Sequence, residues 1–269
     1  MEDFIHLHVH TQYSILDGQS RIPRLVDKAI ADGMKGMAIT DHGVMFGIKE
    51  LCDYCAKVNK GRKKEGLEPF KPIIGCEMYV AHRRKEDREK DKGDMSGYHL
   101  IVLAKNYNGY KNLIKLVSNS WVDGYYMRPR TDRADLEKYH EDLIVCSACI
   151  AGEVPRKILN GDIEGAREAC EWYHRVFGDD YYLELQRHEV TDPSVLANRE
   201  AFPMQQRANK VLIEMSKEYG IKLVCTATSR TRRQQRLTTI CSVWQRARTL
   251  MILTVCATPS RSGSRPVRR

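Results

Sequence analysis

The chain has 269 residues, 42% of them hydrophobic and 29% charged, which is enough for one large domain or two modest ones and excludes a wholly disordered protein. No run of about 18 apolar residues occurs, so the sequence predicts neither a spanning helix nor a membrane partner. The formal net charge of +9 is concentrated in the last 44 residues, and the rest of the chain is close to neutral.

The first segment, residues 4–10, alternates between apolar and histidine side chains. Because successive side chains of a strand point to opposite faces, the apolar residues are predicted on one face and His6, His8 and His10 on the other. We expect His6 to be an ordinary packed strand residue. The N-terminus begins acidic and lacks the basic and apolar regions of a secretory signal, which predicts a cytoplasmic protein.

Strands and helices alternate along the rest of the chain, which favours an α/β domain with a mostly parallel sheet. The sequence predicts further strands at residues 37–40, 73–80, 99–104, 143–147, 181–186 and 222–226. It predicts helices at residues 20–33, with Ser20 as the cap, and at 46–59, 108–120, 152–159, 163–177 and 198–219. Seven repeats predict a closed or nearly closed barrel, with a doubly wound open sheet as the alternative. The charged run at 83–94 is predicted to be a solvated loop.

Polar side chains gather near the ends of these predicted strands. In a β/α barrel the loops after the strands converge on one face, so these side chains are expected to meet there. Histidine, carboxylate and thiolate are the ligands of zinc, manganese or iron. The sequence therefore predicts a metal centre formed from residues among His8, His10, Asp41, His42, Glu77, His99 and Cys149.

The nine cysteines favour reduced thiols rather than a disulfide framework, since the chain carries no secretory signal. Two C-x-x-C pairs occur, Cys52/Cys55 and Cys146/Cys149, but they are too far apart for a zinc ribbon. The first pair is predicted to be half-buried on a helix. Cys149 precedes a predicted helix whose dipole would lower its pKa, and its role as metal ligand, structural residue or nucleophile stays open. Four other histidines are predicted to face solvent: His82, His140, His174 and His188.

Five segments of the sequence are similar to those of one known family. They are HLHVHTQYSILDG at 6–18, AITDHGVMFG at 38–47, PIIGCEMYV at 72–80, YHLIVLAKNYNGYKNLIKLVS at 98–118 and CSACIAGEVP at 146–155. Together they resemble the PHP (polymerase and histidinol phosphatase) domain, in the form that begins bacterial replicative DNA polymerase III alpha subunits. The resemblance covers residues 3–226 and implies a distorted (β/α)7 barrel of the TIM type that holds up to three metal ions.

The resemblance also implies a ligand set for divalent Zn, Mn or Fe ions. In the family the last strand ends in T-N-D-x-H, and its aspartate and histidine complete the site. Here Thr228 and Arg230 occupy those two places, and arginine is a permanent cation that repels a metal ion. The remaining implied ligands are His8, His10, Asp17, His42, Glu77, His99 and Cys149.

The function implied by the resemblance is that of a DNA-directed DNA polymerase. DNA, dNTPs and other replicase subunits would be partners of the full-length parent, whose Mg²⁺-dependent polymerase site would lie beyond this chain. The domain itself would be either a metal-dependent phosphoesterase of the exonuclease or pyrophosphate-hydrolysing type, weak or inactive here, or a structural module. A stand-alone PHP phosphoesterase similar to histidinol phosphatase is the alternative identity.

The charge balance changes abruptly where the resemblance stops. From Thr226 to Arg269 there are ten arginines and no lysine, aspartate or glutamate, whereas residues 1–225 hold 34 of the 44 basic and all 35 acidic side chains. We interpret this change as a shifted reading frame after about residue 226; a genuine basic arm and a cloning artefact are the alternatives. The sequence therefore predicts a PHP domain at 1–226 and an aberrant, poorly packed basic tail at 227–269.

Overall fold

The computed structural model describes residues 4–15, 18–89, 96–188 and 200–226. Within these ranges the strands are β1 (Gly36–Ile39), β2 (Lys71–Val80), β3 (Tyr98–Ala104), β4 (Tyr125–Tyr126), β5 (Arg128–Thr131), β6 (Leu143–Cys146), β7 (Tyr181–Gln186) and β8 (Lys222–Thr226). The helices are α1 (Ile22–Ala31), α2 (Ile48–Lys64), α3 (Tyr107–Val122), α4 (Arg133–Lys138), α5 (Glu153–Leu159), α6 (Ile163–Phe177) and α7 (Ala201–Tyr219). The predicted tail lies outside the described residues.

Side-chain caps start three of these helices. Asn106, Asp132 and Asp162 each accept a hydrogen bond from a backbone N–H in the first turn of α3, α4 and α6. The prediction that Ser20 caps α1 is wrong: Arg21 is the N-cap residue, and its side chain makes no capping hydrogen bond. Pro23 lies in the first turn of α1, where its missing N–H costs nothing.

The strands form one mixed sheet in the order β4-β5-β2-β3-β6-β7-β8, and β1 pairs with the first half of β2. Strand β3 runs antiparallel to both of its neighbours, β2 and β6. The pairs β1/β2, β2/β5, β6/β7 and β7/β8 are parallel. The expected mostly parallel sheet is therefore interrupted at its centre by one reversed strand.

Residues 4–10 lie beside β1 without forming a regular strand. The Ala38 N–H donates to the His6 carbonyl and the Thr40 N–H donates to the Val9 carbonyl, each at 2.8 Å. The backbone bends at residue 8, and the prediction of strict alternation is therefore wrong. Ile5 packs in the inner cluster of the sheet, whereas Val9 packs on its outer face. A one-residue shift of this kind exchanges the two faces of a strand.

The sheet carries an apolar cluster on each face. The outer cluster lies between the sheet and the helices and holds most of the buried side chains. The inner cluster takes side chains from both ends of the chain, which requires the sheet to curl around it, as the predicted barrel does. Its buried members are Ile5, Ala38, Ile73, Ile101, Leu103, Ile144, Cys146, Ala148 and Val224. The structure thus confirms the barrel-type α/β fold class.

The hairpin β4–β5 and helix α4 were not predicted, and they hold down the described part of the charged run. The fully buried Arg130 donates to the carbonyls of Lys85 and Asp87, both at 2.8 Å, and to that of Gly124 at 3.2 Å. Lys85 is itself buried, and its Nζ donates to Asp135 at 2.6 Å. The expected solvated loop is therefore tied to the domain at residues 85–87.

Replacing Arg130 with alanine is expected to lower the free energy of unfolding by about 3 kcal/mol, because buried carbonyls lose a charged donor and a large side chain leaves a cavity. Urea unfolding followed by circular dichroism measures this change. Alanine at Arg62, which is half-buried and donates to the Glu68 carbonyl in an exposed hydrogen bond, is the control and is expected to cost far less. Equal losses from the two variants would contradict the role of Arg130.

The remaining cysteines and histidines follow the sequence predictions in part. All seven described cysteines are thiols, and Cys52 and Cys55 lie on α2 as expected. Cys52 is half-buried as predicted, whereas the same prediction for Cys55 is wrong, because Cys55 is only 1% exposed. His82 and His140 are exposed as predicted, and His6 is half-buried against α1. The prediction for two other histidines is wrong, since the structure places them as half-buried residues: His174 and His188. In the described ranges, no helix has the length and apolar character needed to cross a bilayer.

Candidate metal centre

Four neighbouring segments bring the centre together. His8 and His10 come from the first segment, His42 follows β1, and Glu77 lies in β2 with its backbone bridged to that of His42. His99 is the second residue of β3. Because β3 runs antiparallel to β2, the beginning of β3 lies at the edge of the sheet where β2 ends. The reversed strand therefore delivers a residue from its beginning to the same place as residues from the ends of its neighbours.

Glu77 is the hub of this centre, with only 1% of its surface exposed. Its Oε1 atom lies 2.8 Å from His99 Nδ1. Its Oε2 atom lies 3.0 Å from both His10 Nε2 and His42 Nδ1, and 3.4 Å from His8 Nε2. One carboxylate thus faces four imidazoles, two on the first segment and two on the neighbouring strands.

These residues fit a metal ion. Around a tetrahedral zinc with bonds of about 2.0–2.1 Å, ligand atoms are about 3.4 Å apart, close to the spacings between Glu77 Oε2 and the imidazole nitrogens. Within the described part of the chain Glu77 Oε2 has no partner with hydrogen-bond geometry, although it is buried. Two groups have donor atoms within 4.8 Å of one another, His8/His10/Glu77 and His42/Glu77/His99. Because both contain Glu77, its two oxygens can serve two ions.

Burial and the glutamates set the pKa values in the centre without metal. Burial alone would lower the pKa of His8, but the carboxylates of Glu77 and Glu184 outweigh it and raise the pKa to about 10. The same competition, with Glu77 dominant, raises the pKa of His99 to about 9. Burial prevails at His10 and lowers its pKa. Although burial would raise the pKa of Glu77, His8 and His99 hold it well below its ordinary value.

Asp41 organises the loop that carries the histidines. Its carboxylate accepts hydrogen bonds from the Thr11 N–H at 2.7 Å and from the Thr11 and Ser14 hydroxyls, each at 2.8 Å. The Ser14 oxygen lies 3.1 Å from His10 Nδ1 and accepts from the His42 N–H at 3.1 Å. Asp41 therefore holds Thr11 and Ser14, and Ser14 in turn contacts His10 and His42. Asp41 itself belongs to neither ligand group.

Cys149 lies at the margin of the centre. Its sulfur is 3.8 Å from Glu77 Oε1 and 3.7 Å from His99 Nδ1, in the loop after β6. The structure thus brings together six of the expected ligands, and their roles as ligands remain predictions. Three predicted positions lie outside the described residues: Asp17, Thr228 and Arg230.

Sequence reasoning missed two buried polar residues on β7. Glu184 Oε1 lies 2.8 Å from His8 Nδ1, and Gln186 Nε2 donates to the same oxygen at 3.1 Å. The signal was present in the alternation of this strand, since Leu183 and Leu185 face the outer core while Glu184 and Gln186, which alternate with them, face inward. A carboxylate on the inner face of a buried strand indicates a partner in the centre of the fold.

Comparison with known proteins supports one family. The chain is 44% identical over 226 residues to a DNA polymerase III subunit alpha from Borreliella burgdorferi, which covers 84% of this chain and 18% of the relative. It is 39% identical to those of Treponema pallidum over 224 residues and Aquifex aeolicus over 230 residues. The Treponema match covers 83% of this chain and 17% of the relative, and the Aquifex match covers 84% of this chain and 18% of the relative. The chain thus spans about a fifth of the length of these relatives.

Among solved structures, the chain is similar to a protein described as a metal-dependent phosphoesterase from Bifidobacterium adolescentis, with a TM-score of 0.46 and 13% identity over 83% of this chain and 86% of that one. The family assignment does not depend on this distant likeness. The PHP domain matches residues 6–188, a stretch that contains most of the first segment, the histidine and glutamate groups and strand β7. From this match and the identities above it follows that the chain belongs to the PHP domain family.

Proposed function

We propose that this chain is the N-terminal PHP module of a bacterial replicative DNA polymerase alpha subunit and that its centre binds divalent metal ions for phosphoester hydrolysis. The observation that carries the proposal is the pair of ligand groups that share the buried Glu77. DNA, dNTPs and other replicase subunits are then partners of the longer polymerase, and nucleotidyl transfer takes place outside the described residues.

The ligand roles follow from the side-chain atoms that face one another. His8 and His10 would hold one ion through their Nε2 atoms, together with Glu77 Oε2. His42 and His99 would hold a second ion with Glu77, and Cys149 lies near enough to join that group. Imidazole, carboxylate and thiolate suit zinc, manganese and iron alike, and the proposal includes all three.

Bound divalent ions would supply a hydroxide at neutral pH and stabilise the leaving oxygen of a phosphoester. The contribution of the chain is to hold neutral imidazoles and an ionised carboxylate in place around them. Burial keeps Glu77, His8 and His10 away from bulk water. Ser14, held by Asp41, fixes the ring of His10. Fixed ligands of this kind reduce the reorganisation that binding a substrate phosphate would otherwise require.

A structural role is the second candidate, and the sequence after β8 favours it. Thr228 and Arg230 stand where the family has an aspartate and a histidine, so a third ion would lose two ligands and meet a positive charge. A module with an incomplete centre could still brace a polymerase through its folded surface. We therefore expect this chain to bind fewer than three ions and to hydrolyse phosphodiesters weakly.

The test is metal content by elemental analysis, together with hydrolysis of a generic phosphodiester in Mn²⁺ or Zn²⁺. The full chain is expected to hold metal weakly, and the double variant Thr228→Asp with Arg230→His to gain at least about tenfold in affinity, in occupancy and in turnover. His10→Ala in that background is expected to abolish the gain.

Alanine at His140 serves as the matched control, because this histidine is exposed and its ring lies 2.7 Å from the Glu137 carbonyl, outside both ligand groups. Occupancy by three ions in the unchanged chain, with turnover that depends on His10, would contradict the expected weak binding. A double variant that binds metal without hydrolysing any phosphodiester would favour the structural role instead.

A further inference from the structure

Strand β7 contributes a buried acid that the ligand set implied by the family resemblance does not include. Glu184 is 2% exposed and lies on the inner face of the strand, directed at the first segment of the chain. A buried carboxylate is costly unless it is paired and hydrogen-bonded. Its position beside a candidate ligand therefore requires an explanation beyond packing.

The geometry of His8 supplies this explanation. Its Nδ1 atom lies 2.8 Å from Glu184 Oε1, whereas its Nε2 atom points into the centre, 3.2 Å from His10 Nε2 and 3.4 Å from Glu77 Oε2. A neutral imidazole has one N–H and one lone pair. When the Nδ1–H donates to Glu184, the lone pair of Nε2 faces the place where an ion would sit.

Two further hydrogen bonds hold the carboxylate in this position. Gln186 Nε2 donates to Glu184 Oε1 at 3.1 Å, and the Thr226 hydroxyl donates to the same oxygen. Since Thr226 is the last residue of β8 and the other two residues lie on β7, the network ties two strands of the sheet to the ring of His8.

We propose that Glu184 is a positioning residue that fixes the tautomer and orientation of His8 and increases its affinity for a metal ion, a role that rests on the proposed metal centre. Carboxylates that accept from the outer nitrogen of a metal-bound histidine orient the ring and raise its basicity. The outer nitrogen of His10 faces a neutral serine oxygen, whereas the outer nitrogen of His8 faces the carboxylate of Glu184.

The experiment measures Zn²⁺ affinity of the full chain by competition with a chromophoric chelator, and the visible absorption of the Co²⁺-loaded chain. Glu184→Gln keeps the shape of the side chain and removes its charge, so we expect Zn²⁺ affinity to fall by about 10- to 100-fold and the Co²⁺ bands to change. Glu184→Asp is expected to restore part of the affinity.

Tyr173→Phe is the matched control for a loss of stability, because Tyr173 is buried on α6 and donates to Glu153 at 3.1 Å, away from His8. This variant is expected to lower the melting temperature and to leave Zn²⁺ affinity and the Co²⁺ spectrum unchanged. Wild-type affinity and spectrum in both Glu184 variants, with weaker binding in His8→Ala, would overturn the role of Glu184 alone. Unchanged binding in His8→Ala would overturn the metal centre and the positioning role together.

Discussion

Replacing Glu77 with glutamine is expected to abolish metal binding more completely than any other single substitution in the centre. Glu77 belongs to both ligand groups. Its carboxylate lies between the two histidines of the first segment and the two histidines beside β2. We expect Zn²⁺ affinity to fall at least about 100-fold, beyond the usual effect of losing an outer partner. Chelator competition and elemental analysis measure this loss.

The same variant is expected to destabilise the metal-free chain by about 3 kcal/mol at neutral pH, because protonated imidazoles would lose their buried counter-charge. Glu153→Gln is the matched control, since Glu153 is also a buried carboxylate and pairs with Arg133 at 2.8 Å. This control should lose stability and keep its metal. A Glu77→Gln chain that binds Zn²⁺ as tightly as the parent would show that the centre is not organised around this carboxylate.

The metal-free chain is expected to lose stability as the pH rises from neutrality. The pKa of His8 is raised to about 10 and that of His99 to about 9, both above the value of 6.5 for an unperturbed histidine. Between 6.5 and these values the native state binds more protons than the unfolded state, so the stability contributed by these protons is complete below pH 6.5 and disappears as the pH rises through the folded pKa values. The total loss should be on the order of 5 kcal/mol.

Urea unfolding at several pH values, in the presence of a chelator, measures this dependence. His8→Asn is expected to remove much of the alkaline loss, and His140→Ala to leave it unchanged. Saturating Zn²⁺ should oppose the trend, because metal binding needs neutral imidazoles and becomes stronger as protons leave. Metal-free stability that rises steadily from neutral to alkaline pH would contradict the assignment of these protons to the native state.

Periodicity and residue chemistry predicted most of the elements and the histidine–glutamate cluster. Each side chain of the cluster lies in or beside a strand whose apolar residues mark it clearly, as Glu77 does within the buried β2. The direction of β3 was not predictable from the same pattern, because an alternating or fully apolar strand reads alike in both directions. His99 was nevertheless placed correctly, since reversal of the strand brings its first residues to the shared edge.

The sequence did not predict the contacts between segments that are far apart in the chain. The link from His8 to Glu184 depends on how far the sheet curls, which no local pattern records. Likewise, the bend at residue 8 exchanges the faces of the first segment for reasons of tertiary packing, so the expected alternation failed between Leu7 and Val9. Arg130 gave no signal either, because a buried arginine whose donors satisfy loop carbonyls has the sequence appearance of a surface residue.

The contact between His8 and Glu184 joins residues 176 positions apart, and this separation has a consequence for biosynthesis. A growing chain carries its first histidines out of the ribosome long before β7 exists, and at about 5–20 residues per second the delay amounts to roughly 10–35 s. During that interval His8 lies on an unfinished sheet without the Glu184 carboxylate. Long-range closure also makes folding slow. Ions should therefore be held firmly only after β7 has emerged from the ribosome, and nascent chains halted before residue 184 should retain them poorly.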